Sequence, residues 1–232
     1  MTVFWYAMRR GFFRPVSLIL NSITPIALLV FGNSVAFGTG AEARGYFMLA
    51  ILILFGAFMM AGGIQADKLD GVLVRILAGP ITFRSYLIQN FFAGLVPMVI
   101  LTLILGVLGI MIHDWALSFA LFVVLTYILL SASSIGLSFV WSCWFNDKET
   151  STVTFSFALM LMALLGGILI PASIMPTSVR NIGALFPVHW AARSFEELIV
   201  YESATTQYWL SSLALVLFTA ALILYGSRRR IV

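Results

Sequence analysis

Charged residues in this chain are gathered into short clusters, separated by long stretches that hold none. Asp, Glu, Lys and Arg are absent from 15–41, 45–66, 85–113, 115–146, 150–179 and 203–227. A helix that crosses a bilayer needs about 20 predominantly apolar residues, so each stretch is long enough. The pattern predicts helices over 16–37, 46–64, 86–111, 117–141, 151–170 and 208–226. The expected fold is a single all-α integral membrane domain over 1–232 with six transmembrane helices. Barrel strands would alternate in polarity over about ten residues, and Leu49-Ala50-Ile51-Leu52-Ile53-Leu54-Phe55 does not alternate. A helix also bonds its own backbone polar groups, as lipid demands.

Three segments between the stretches have patterns of their own. In 1–14, Trp5, Met8 and Phe12 share one helical face while Arg10 and Arg14 lie on another, which predicts an amphipathic N-terminal interfacial helix. Pro25 then removes a hydrogen bond from the first span and predicts a kink there. In 65–80, Leu69, Val72, Leu73, Ile76 and Leu77 form one apolar stripe, Lys68 and Arg75 face elsewhere, and Gly79-Pro80 stops the helix. This predicts a short amphipathic helix able either to receive a partner protein or merely to join two spans. The segment 171–207 holds Pro171, Pro176, Pro187, His189, Trp190, Arg193, Glu196, Glu197 and Glu202 beside Phe186, Phe195 and Leu198. It is too apolar for a disordered loop and predicts a re-entrant outer hairpin of short helices between spans 5 and 6.

Composition agrees with a lipid environment: 62% of the residues are hydrophobic and 9% are charged, against about 25% charged in soluble domains. The net charge of +4 lies in small clusters and forms no stripe for nucleic acid. Charge does fix an expected orientation. Arg9, Arg10, Arg14, Lys68, Arg75, Arg84, Lys148, Arg228, Arg229 and Arg230 fall on one side of a six-span topology, ten of the 13 basic residues. Lys and Arg accumulate in cytoplasmic loops, so both termini and the 65–80 segment are expected inside a plasma (inner) membrane. Arg9-Arg10-Gly11-Phe12-Phe13 resembles a twin-arginine export signal and Ala41-Glu42-Ala43 a cleavage site. The apolar stretch between them is longer than the roughly 7–15 residues of a signal core, and cleavage is not expected. Cys143 is the one cysteine, so no disulfide forms within the chain.

Little catalytic chemistry is present. There is no Gly-x-x-x-x-Gly-Lys-Ser/Thr loop to cradle ATP phosphates and no Gly-x-Ser-x-Gly elbow. His113 and His189 are the only histidines, too few for a zinc site of three or four ligands. Asp67-x-x-Asp70-Gly71-x-x-x-Arg75 resembles the first half of the CDP-alcohol phosphotransferase motif, which would make the chain a lipid-head-group phosphotransferase using Asp67 and Asp70. The remaining motif positions hold Arg84, Ile88 and Phe92, and half a carboxylate set does not hold a divalent metal. No charge lies within a span to carry protons or ions, so energy for any transport is expected from outside the chain. Phe91, Phe92, Phe155 and Phe157 either line an amphipathic path or pack against lipid.

Four features in order resemble the permease subunits of ABC-2 type exporters over nearly the whole chain. A basic amphipathic start leads through Arg14-Pro15 to a first span with Pro25. After span 2 come Asp67, Gly71-Val72-Leu73-Val74, Ile76-Leu77 and Pro80, near the family's acidic residue, Gly-Thr-Leu-Glu, Leu-Leu and Pro. Gly166-Gly167 through Pro171, with Met175-Pro176, follows span 5, and Phe186-Pro187-Val188-His189-Trp190-Ala191 precedes span 6. Val74 stands where the family has an acid and Asp67 where it has a glutamate, as a contact suited to a particular ATPase or half of a heterodimer would have.

The resemblance implies an ATP-driven exporter subunit, not itself an enzyme, for an amphipathic, drug-like or lipid-like cargo, as in multidrug efflux. It implies two copies of an ATP-binding subunit that carry ATP and Mg, with no cofactor or metal on this chain. It also implies a second permease, identical or different, around a central path, with membrane lipids as surroundings and no nucleic acid. Coupling to the ATPase would fall to Arg10, Asp67, Lys68, Asp70, Gly71, Leu73, Arg75 and Leu77. An outer gate would comprise Phe186, Pro187, His189, Trp190, Glu196 and Glu197.

Overall fold

A computed structural model describes residues 2–12, 19–31, 41–170, 175–201 and 203–228. Among them every regular element is helical. Helix α1 spans Thr2–Phe12, a π-helical turn spans Ile19–Ile23 and α2 spans Thr24–Phe31. There follow α3 (Ala41–Leu69), α4 (Val72–Leu77), α5 (Phe83–His113), α6 (Leu117–Trp144) and α7 (Lys148–Leu165). Helices α8 (Thr177–Gly183), α9 (Pro187–Tyr201) and α10 (Thr206–Arg228) complete the chain. Four helical stretches are long and apolar enough to cross a membrane: Met48–Leu69, Phe83–His113, Leu117–Trp144 and Thr206–Gly226. Parts of the expected first span, with Arg14 and Pro15, and also Pro171, Glu202, Arg229 and Arg230, lie outside the described residues.

Helix α6 is the hub and packs against α3, α5, α9 and α10. Its sequence explains why. Ser131, Ser134, Ser138 and Ser142 each donate to the carbonyl four residues back, at 2.8, 2.6, 2.8 and 2.8 Å. Their hydroxyls are thus satisfied within the helix, and small side chains let neighbouring backbones approach. Around the hub, Leu49, Ile53 and Phe58 of α3 meet Met98 and Leu105 of α5, Tyr127 of α6, Phe155 of α7 and Phe195 of α9. Phe58 stacks on Phe155 with centroids 3.6 Å apart. Phe155 is therefore core, whereas Phe92 and Phe157 are exposed, as lipid-facing side chains would be.

Several boundaries differ from the hydropathy pattern, each for a local reason. Helix α7 ends at Leu165, five residues short of the expected end. Gly167 takes φ 96, and the apolar Ile168-Leu169-Ile170 hides that turn from any count of charges. The 65–80 segment is not one helix. Span α3 runs on to Leu69, Gly71 turns the chain at φ 65, and only Val72–Leu77 form the short helix. The expected stripe is split with it: Leu73 is buried and Leu69 exposed. Where a kink is expected at Pro25, the structure has a π-helical turn ending two residues upstream. The wider turn relieves the proline's missing N–H and its clash with the carbonyl four residues back, and Thr24 Oγ1 donates to Ile19 O at 3.0 Å.

Candidate functional site

The first cluster of polar side chains gathers where α1 crosses the end of α3. Asp67 lies in the last turn of α3 and is 2% exposed. One of its oxygens forms an ion pair with the Arg10 guanidinium, and the other accepts a hydrogen bond of 2.5 Å from Tyr86 OH in the first turn of α5. Arg10 also lies over the Tyr6 ring, 5.1 Å from its centroid. Burial works against the Arg10 charge, but the hydrogen bond and charge of Asp67 together outweigh it and raise the guanidinium's pKa. Gly63, one turn before Asp67, makes the approach possible, because a Cβ there would collide with the guanidinium. An apolar layer of Val3, Ile64, Leu73, Tyr86 and Leu87 surrounds the cluster. It joins α1, α3, α4 and α5 into one packed unit.

The same end of α3 is tied to the α6–α7 loop. Gln65 Nε2 donates to Asp147 O at 3.1 Å and Lys68 Nζ to Asn146 Oδ1 at 2.9 Å. Asp147 caps α7 by accepting from Thr150 N and Thr150 Oγ1, both at 2.7 Å. Those bonds hold its carboxyl below the usual aspartate value. Beside this framework Asp70, Val74 and Arg75 are exposed.

The sequence-derived coupling residues therefore divide. Arg10, Asp67 and Leu73 form the buried part, while Lys68 and Gly71 frame the turn. Asp70 and Arg75 stand on the surface with Val74, and Leu77 is half-buried. Arg10 and Asp67, named separately from the sequence as coupling residues, are paired with each other. The expectation of no charge buried within the spans fails at Asp67, one residue beyond a charge-free stretch. Asp67 and Asp70 also face different surroundings, and no described group of three or more His, Cys, Asp or Glu could hold a metal ion.

A second polar cluster lies at the far end of α7, about 27 Å of helix away at 1.5 Å per residue. Helix α9 buries Val188, Ala191, Phe195 and Leu198 on one face. His189, Arg193, Glu196 and Glu197 follow the same 3.6-residue period on another face and line a cavity of ≈ 250 Å³ with Gly166, Ala192 and Arg180 of α8. Burial, then the charges of Arg193 and Arg180, lower the His189 pKa against an opposing hydrogen bond with the Gly166 backbone. Glu197 accepts from Thr205 Oγ1 at 2.7 Å, and Trp190 Nε1 donates to Ala184 O at 2.9 Å. Of the expected gate residues, His189, Glu196 and Glu197 share this cavity. Phe186 and Trp190 pack against the core, and buried Pro187 begins α9.

Residues 18–228 match the model of a family described as ABC-2 family transporter protein. The chain belongs to the ABC-2 transporter family. A comparison with curated proteins returns no match. Family membership and the apolar helices make the chain a multi-pass membrane protein and a component of membrane transport. Within this ABC-2 protein, sequence reading does not find Tyr86 as a partner of Asp67, Gly63 as the close neighbour of Arg10, or Arg180 and Arg193 as the charges beside His189. For Arg193 a signal existed: residues 189, 193, 196 and 197 fall on one helical face. Nothing along the sequence pairs Tyr86 with Asp67, because their meeting depends on how α5 returns beside α3.

Proposed function

We propose that this chain is the permease subunit of an ATP-driven exporter, forming half of the path for an amphipathic, drug-like or lipid-like cargo. The observation that carries this reading is the buried Arg10–Asp67–Tyr86 cluster. It fastens the amphipathic helix α1 to two spans, beside an exposed short helix that a partner can push. The six spans are the helix containing α2, then α3, α5, α6, α7 and α10, with both termini on the cytoplasmic side of the plasma membrane. Two ATP-binding subunits, carrying ATP and Mg, dock on Asp70, Val74 and Arg75. A second permease, the same chain or a sister, completes the path. Closure of the ATP-binding subunits tilts α1, α3 and α5 together, because a buried ion pair resists separation. At the outer end, α8 and α9 narrow the exit through Phe186, Pro187, His189, Trp190, Glu196 and Glu197. Both carboxylate oxygens of Asp67 are engaged, which leaves the phosphotransferase alternative with only Asp70 of its two carboxylates to offer a metal.

Copurification in mild detergent, followed by transport in vesicles, tests the reading. The chain is expected to bring down a nucleotide-hydrolysing subunit. Arg75→Glu is expected to leave the spans folded while ATP hydrolysis no longer drives export. Wild-type transport by Arg75→Glu would remove the coupling role from that residue, and transport by the chain alone would remove the ATPase from the account.

A further inference from the structure

The cavity between α8 and α9 is built from both signs of charge. Arg180 and Arg193 are exposed at its lining, and Glu196 and Glu197 are half-buried. His189 is 4% exposed, and burial and the two arginines lower its pKa. An arginine fork suits the oxygens of a phosphate, binding two at once, and a carboxylate suits an ammonium group or hydroxyls. The ≈ 250 Å³ of space exceeds what a lone ion needs, since a water molecule takes about 30 Å³ in the liquid. The wall opposite the charges is fixed. The α9 face behind them is buried in the core, and a Cβ at Gly166 would lie 2.5 Å from Met162 O and 3.2 Å from His189 N. Arg193, Glu196 and Glu197 therefore project from a helix anchored in the core, as a selective site requires, and Arg180 reaches the cavity from α8.

We propose that this cavity binds a zwitterionic phosphoester, its phosphate held by Arg180 and Arg193 and its amine by Glu196 and Glu197. The site goes beyond the transport reading, because binding here needs neither an ATP-binding subunit nor transport. Two sources share this chemistry: the headgroup of a membrane phospholipid and a water-soluble phosphoester amine.

The test uses the purified full chain in detergent and three probes: dihexanoyl phosphatidylethanolamine, glycerophosphoethanolamine and dihexanoyl phosphatidylglycerol. Binding is followed by calorimetric titration. The short-chain phosphatidylethanolamine is expected to bind at least tenfold more tightly than phosphatidylglycerol, which lacks the amine. Arg193→Gln is expected to weaken it at least tenfold, with Arg193→Lys intermediate, and Glu197→Gln to erase the preference for the amine. Comparable binding of glycerophosphoethanolamine assigns the site to the soluble headgroup; much weaker binding assigns it to a lipid. A melting curve for each variant shows that it is folded. Either no binding of any probe by the wild-type chain, or equal binding by wild type and a folded Arg180→Gln/Arg193→Gln double variant, would overturn the proposal. In the second case a solvated surface of helix charges remains.

Discussion

Asp67 is the residue on which most depends. Removing one partner of a buried ion pair leaves the other charge unpaired in a poorly hydrated site, at a cost of about 3–5 kcal/mol. Asp67→Leu is thus expected to lower thermal stability in detergent strongly, and adding Arg10→Met to recover much of the loss. Equal melting points for Asp67→Leu and wild type would show that the pair carries no such strain. Tyr86→Phe removes only a hydrogen bond to a charged acceptor, worth about 1.5–3 kcal/mol, and should fall between them. His189 makes a prediction about pH. Its pKa is depressed in the folded chain, so its contribution to stability is present above the unfolded value of about 6.5 and is lost as the pH falls through the folded value. Arg180, Arg193, Glu196 and Glu197 surround it. Melting curves between pH 7.5 and pH 5 should show wild type losing more stability on acidification than His189→Gln. An equal loss in both would remove His189 as the cause.

At the scale of elements, two glycines decide how helices sit. Gly71 adopts φ 65 with nothing within 4 Å of an added Cβ. A substitution there costs conformational strain alone, about 1–2 kcal/mol. Gly71→Val is expected to misplace α4 and weaken coupling, with Gly71→Asn milder; ATP-driven transport of the two variants, compared at equal expression, checks this. In contrast, Gly106 is a contact between spans: a Cβ would meet Val124 Cγ2 at 2.5 Å. Gly106→Ala should separate α5 from α6 at a cost of about 1–3 kcal/mol. Val124→Ala should restore the melting point, and failure of that rescue would show that the contact does not set the spacing. These elements also mark where sequence reasoning succeeds. The charge-free stretches at 85–113 and 115–146 lie within a few residues of α5 and α6, because apolar length is set by the bilayer. The break at Gly71 and the early end of α7 escape the same reasoning, since a positive φ leaves no trace in hydropathy.

Across the whole molecule, apolar side chains are exposed along the spans. On α5 they run through Ile88, Phe92, Val96, Ile100, Ile104, Val107 and Met111, a stripe at i+4 and i+3 steps that water would not tolerate at this extent. Such a face suits the lipid around a multi-pass membrane protein. The stripe was legible as apolar sequence, but its separation from the buried face of α5 was not, because α5 is apolar all round. The candidate sites were legible only in part. Asp67 and His189 stood out by type, while their partners Arg10, Tyr86 and Arg180 come from other helices and needed the packing. In the proposed arrangement the exposed face of α4 lies on the cytoplasmic side and meets an ATP-binding subunit. The direct measurement is labelling of Val74→Cys, in a Cys143→Ser background, by a membrane-impermeant maleimide in vesicles of known orientation. Labelling from the cytoplasmic face alone, with protection when the ATP-binding subunit is present, is the predicted result. Labelling from the outer face would place α4 away from any cytoplasmic ATP-binding subunit and overturn the proposed coupling.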